Sequence, residues 1–104
     1  LLNDPVFFEC AQTLAERVLH ESKPTTRARL DHAFLLCLAR QASAEEKARL
    51  ERYLATQILI LNNKPEEAKA MVGKPVKGIA PTEQAAWVGV ASVLMNLDEF
   101  ITKE

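Results

Sequence analysis

No stretch of this sequence alternates apolar with polar side chains, so nothing in it reads as a half-buried β-strand. An excess of charge of one sign is also missing: 13 basic and 14 acidic residues leave a formal net charge of −1. Nucleic-acid binders usually carry a basic excess, because counterion release from phosphates supplies much of their affinity. No nucleic-acid partner is expected. The longest apolar runs, Phe34 to Ala39 and Ile58 to Leu61, fall far short of the about 20 residues that span a bilayer. No membrane span is expected.

Cysteine occurs only at Cys10 and Cys37, and there is no Cys-x-x-Cys-His for c-type haem attachment. Neither cysteine has a second ligand nearby at zinc-site spacing. A Ser/His/Asp set, a phosphate-cradling glycine loop and a paired-carboxylate site are absent as well. No catalytic residue, metal or cofactor is therefore assigned within the chain. Whether it belongs to an enzyme stays open, since sequence spacing does not exclude a site assembled with other domains.

What is present is an ordinary globular composition, 48% apolar and 26% charged over 104 residues. A chain this long forms one domain and hides roughly 65% of the surface its unfolded form exposes. We therefore read residues 1–104 as a single helical domain. The chain opens on Leu1-Leu2 and leads straight into a helix cap. We read it as a C-terminal fragment of a larger protein, with a processed terminus as the alternative.

Glycine and proline are sparse and placed as punctuation. Asp4-Pro5 predicts a helix start, with Asp4 as cap and Pro5 in the first helical position. Phe7, Cys10, Ala11, Leu14 and Val18 then follow the 3.6-residue period, to a stop at Ser22-Lys23-Pro24. A second helix is predicted from Thr25 or Thr26 to about Arg40, with Leu30, Ala33, Phe34, Cys37 and Leu38 on its inner face. Leu35, Leu36 and Ala39 widen that stripe almost all round, which predicts a central helix. Ser43 and Glu46 have capping-box spacing. The third helix they open runs to about Leu61, burying Leu50, Tyr53, Leu54, Ile58 and Leu61, with Glu45 and Arg49 as a surface pair. Asn63-Lys64-Pro65-Glu66-Glu67 predicts a short fourth helix, closed by Gly73. Lys74 to Pro81 is the expected loop. A last helix from about Thr82 to Leu97 or beyond turns Trp87, Val90, Ala91 and Leu94 inward, extended by Leu97 and Ile101. The fold class is all-α: a bundle of four longer helices and one short one, sequential neighbours tending to run antiparallel.

If the first two helices form a hairpin turning near Lys23, Cys10 and Cys37 stand at the same level. Packed helix axes lie about 8–10 Å apart, whereas disulfide Cα atoms must come within about 7 Å. Buried thiols are the expectation and a Cys10–Cys37 disulfide the alternative. His20 and His32 read as surface or capping residues. Trp87 reads as core packing, with an exposed interface anchor as the alternative.

Leu2-Asn3-Asp4-Pro5-Val6-Phe7-Phe8-Glu9 and Ala15-Glu16-Arg17 resemble the opening of a C-terminal domain of unknown function in large planctomycete-type proteins. Ala33-Phe34, Leu38-Ala39-Arg40, Ser43 and Glu46 are similar to its next stretch. Ala86-Trp87 and Leu94-Met95-Asn96-Leu97-Asp98-Glu99-Phe100 are similar to its closing motif. Ala42 departs from the pattern, which has proline before the capping residue, and this puts the rigidity of the turn in doubt. The resemblance implies a domain at the end of a long, often exported protein, often with a cytochrome c-like domain near its other end, and implies no known activity.

Arg40, Glu46, Asn96 and Glu99 are the polar residues attached to these motifs. The structural expectation has Arg40 pairing with Glu46 or Glu99, and Asn96 satisfying backbone groups near a helix end. A polar site facing another domain or a ligand is the alternative. The functional expectation is a helical accessory or interaction module whose partners are other domains of the parent protein. One alternative is part of an enzyme completed by upstream domains. The other is a free-standing helical binding domain, although no second copy of any pattern appears where repeat arrays need about three.

Overall fold

The computed structural model describes residues 4–102, with side chains described over 4–97. Every described element is a helix: α1 (Pro5–Glu21), α2 (Thr26–Leu38), α3 (Ala44–Asn62), α4 (Pro65–Met71) and α5 (Pro81–Thr102). Their starts follow local chemistry. Asp4 accepts a hydrogen bond from the Val6 amide at 2.9 Å, and Pro5 takes the first turn of α1. The Thr25 hydroxyl accepts from the Ala28 amide at 3.1 Å. At α3 the full capping box forms, Ser43 accepting from the Glu46 amide and Glu46 from the Ser43 amide. Each cap satisfies amides that the first helical turn leaves without intrahelical partners.

The second helix ends earlier than its apolar pattern predicts. Ala39 adopts a left-handed conformation, φ 55°, and its amide bonds the Leu35 carbonyl at 3.1 Å. Side chains other than glycine meet a Cβ–carbonyl clash there, costing roughly 1–2 kcal/mol. The turn that follows carries Arg40 back toward the start of α3.

The centre of the bundle is α5, not α2. It packs against all four other helices, and Gln84 to Ala91 are buried on every side. Ala85, Ala86, Gly89 and Ala91 are small enough to admit neighbours from all directions. The long apolar side chains of α2 do not all find partners: Leu30 and Phe34 are buried, while Leu35 is 58% exposed. Breadth of an apolar stripe is therefore a weaker guide to centrality than a run of small residues.

In α1 the buried face is Ala11, Ala15, Val18 and Leu19. At 3.6 residues per turn this face is rotated by roughly 70° from the predicted stripe. The rotation moves Leu19 inward and leaves Cys10 exposed. At the far end, Leu97 lies exposed where an inner position was predicted, and Ile101 falls outside the described side chains.

The loop between α4 and α5 spans residues 72–80, where 74–81 was predicted, and three side chains pin it. Gln84, only 1% exposed, accepts from the Val76 amide at 2.9 Å and donates to the Lys74 carbonyl at 2.7 Å. Gln12 donates to the Met71 carbonyl at 2.9 Å, and Glu16 accepts from the Lys74 amide at 3.2 Å. Val76 is thereby held in the core, and Gly78 supplies the positive φ, 86°, that the turn needs.

Candidate functional site

The α2–α3 turn is where the polar chemistry of the chain concentrates. The Arg40 guanidinium forks onto Glu46, Nη1 at 2.8 Å and Nη2 at 2.7 Å from the two carboxylate oxygens. It also donates to the Gln41 carbonyl at 3.1 Å and lies 5.4 Å from the centre of the Phe34 ring. A guanidinium over an aromatic face is attracted by the ring quadrupole. Arg40, followed by the Ser43 backbone amide, holds the Glu46 carboxyl down at about 2. The same pairing, with Glu46 as the leading cause, raises Arg40.

Of the four polar residues singled out above, the structure brings together Arg40 and Glu46. Asn96 is not joined to them, and it lies inside α5, which continues to Thr102, rather than near a helix end. The Glu99 side chain lies outside the described residues. Cys10 and Cys37 form no disulfide; Cys10 faces out and Cys37 is half-buried against the core. The α1 rotation explains this, because Cys10 points away from the helix pair it was expected to join. Glu45 and Arg49 do not pair with each other among the described residues.

Two concave surfaces meet at the Arg40–Glu46 pair. The first is a polar cleft of about 500 Å³ lined by Ser22, Asp31, His32, Leu35, Arg40 and Lys47, among others. Its charges are answered from within the chain. Asp31 pairs with Lys47 at 3.0 Å. The His32 ring lies 2.7 Å from Glu21, which also accepts from Arg17 at 3.0 Å. Arg17 first, then His32, lowers the Glu21 carboxyl below the usual carboxylate range. Among the described residues no cluster of His, Cys, Asp and Glu could hold a metal ion.

The second is an apolar groove of about 390 Å³ between α3 and α5, with Phe34 of α2 also in its lining. Leu50 and Tyr53 come from α3, Val93 and Leu97 from α5, and Glu46 and Arg49 supply its charge. Burial raises the Tyr53 phenol above its ordinary range. Sequence periodicity placed Leu50 and Tyr53 on the inner face of α3 but could not place Val93 and Leu97 opposite them. Two further polar features escaped the sequence reading: Gln84, and the Arg29–Glu83 ion pair at 2.8 Å, with Arg29 buried. Gln84 ties α5 to the loop just before it, the ion pair ties α5 to α2 across 54 positions, and no helical spacing announces either.

The fold defines an all-α helical bundle. A family model described as PSD1, protein of unknown function (DUF1553), matches residues 1–54. The chain belongs to that family. The match covers α1, α2, the Arg40–Glu46 turn and α3 as far as Leu54, and stops short of α4 and α5. No curated protein and no solved structure matches the chain. No helix among the described residues is long and apolar enough to cross a membrane.

Proposed function

We propose that the chain is a helical interaction module, an accessory part of a larger polypeptide, and that it docks through the groove between α3 and α5. The observation that carries this reading is the groove itself: apolar side chains line it, and Leu97 at its wall is 42% exposed. Covering such a surface gains roughly 25 cal/mol per Å² of apolar area removed from water. Grooves of this kind commonly take the apolar face of a helix. The setting we propose is the one the resemblance implies, a long exported protein with a cytochrome c-like domain elsewhere.

Hydroxyl-radical footprinting tests the reading by comparing the isolated chain with the full-length polypeptide. Tyr53 and Leu97 are expected to be protected in the full-length protein, while exposed Leu59 on α3 keeps its reactivity. Equal labelling of Leu97 in both would remove the reading.

The second reading, part of an enzyme site completed by other domains, draws on the polar cleft where Asp31, His32, Arg40 and Lys47 converge. The charge pairing within that cleft favours a structural role for these groups. An activity of the full-length polypeptide that His32→Ala abolishes without changing Tm would reverse this order of preference.

A further inference from the structure

The two charged residues in the lining of the α3–α5 groove differ in what they have left to offer. Glu46 is fully engaged: Oε1 accepts from Arg40 and from the Ser43 amide, and Oε2 accepts from Arg40. Arg49 is exposed, and among the described residues it has no ion-pair partner. The cations of the polar cleft are not comparable, since Asp31 holds Lys47 and Glu46 holds Arg40. Among the described residues, the groove thus offers an apolar surface flanked by a guanidinium that no carboxylate holds. A guanidinium presents a planar fork of donors that matches a carboxylate.

From this charge complementarity, and resting on the docking reading above, we infer that the groove takes an acidic amphipathic helix, a protein segment whose apolar side chains enter between α3 and α5 while a neighbouring carboxylate meets Arg49. Side chains at i and i+4 of such a helix stand about 5–6 Å apart, so two anchors can lie along the groove together. A basic segment with the same anchors sets like charge against Arg49. The pairing acts at an exposed rim, so its effect is on selectivity more than on total affinity.

Two synthetic helical peptides test the inference. Both carry leucines at i and i+4; one is flanked by glutamates and the other by lysines. Binding is followed by methyl NMR at Leu50, Val93 and Leu97. The glutamate peptide is expected to shift these signals and to bind about three- to fivefold more tightly, the scale of one exposed ion pair. Arg49→Glu, at an exposed position without an ion-pair partner among the described residues, should keep the fold and reverse the order of the two peptides. Equal binding of both peptides in the groove, or an order that Arg49→Glu leaves unchanged, overturns the charge assignment and leaves the docking reading standing. Silence with both peptides overturns the inference, and the docking reading falls with it only if footprinting also shows no protection. Concentration-dependent shifts without peptide assign the groove to a second copy of the chain and overturn it as well.

Discussion

The hydroxyl of Tyr53 on α3 lies 2.8 Å from where a β-carbon on Gly89 of α5 would stand. Glycine in the middle of a helix is unfavourable by roughly 1 kcal/mol relative to alanine. Here it admits the tip of a tyrosine that walls the groove. A missing side chain on one helix thus sets the position of an aromatic on another.

A double-mutant cycle measures this relationship. Gly89→Ala gains helix propensity but must displace Tyr53. In a Tyr53→Phe background the closest atom is gone, and the remaining ring contacts, 3.4 and 3.5 Å, are ordinary. The propensity gain is common to both backgrounds and cancels, so the cycle reads the clash alone. Alanine should be more favourable beside phenylalanine by about 0.5–3 kcal/mol, the coupling of residues in contact, read from denaturant midpoints. An equal effect in both backgrounds would show that the two side chains do not compete.

Acid should weaken the α2–α3 turn. The folded Glu46 carboxyl titrates at about 2, below the ordinary value of 4.5. A depressed carboxylate contributes stability that is complete above its unfolded value and is lost as pH falls through the folded one. Wild-type chain should exceed Glu46→Gln in Tm above about pH 5, with the gap closing between pH 4.5 and 2. Arg40→Ala should also lower Tm. A gap independent of pH would mean that the charge of Glu46 does not matter. Solvent screens this partly exposed pair, so the change is modest.

Gln84→Leu should release the loop over residues 72–80. The substitution leaves the Val76 amide and the Lys74 carbonyl without their side-chain partner. An unsatisfied buried group costs about 1–3 kcal/mol, which applies to the buried Val76 amide, while water can reach the exposed Lys74. Faster trypsin cleavage at Lys77, which precedes Gly78, is the expected readout, and unchanged cleavage would mean that Gln12 and Glu16 suffice.

Breaking the Arg29–Glu83 pair from one side should cost more than removing it whole. Glu83→Ala leaves a buried guanidinium uncompensated, with an upper bound of about 3–5 kcal/mol. Glu83 is 38% exposed, so water offsets part of that loss. Arg29→Met combined with Glu83→Leu should recover most of the stability by urea denaturation. A double variant as unstable as Glu83→Ala alone would locate the cost elsewhere.

Much of the fold could be read locally. The starts at Asp4-Pro5, Ser43 and Pro65 are set by residues within one turn of each helix, and the structure has them there. The end of α2 was misplaced because an apolar pattern does not signal a left-handed alanine. The Arg40–Glu46 pair was legible as one of two pairings, since it closes across a short turn. The groove was legible only in halves, because its walls come from residues some forty positions apart in sequence.

By itself, then, the sequence determined that the chain makes helices and where most of them begin, because caps, breakers and periodicity act over a few residues. Only tertiary structure decided that α5 stands at the centre, that Cys10 faces out, and that Arg29 meets Glu83. Those outcomes depend on which surfaces fit together: small residues let α5 be enclosed, and the rotation of α1 follows the neighbours it packs against. That is information about pairs of helices, which no single helix carries.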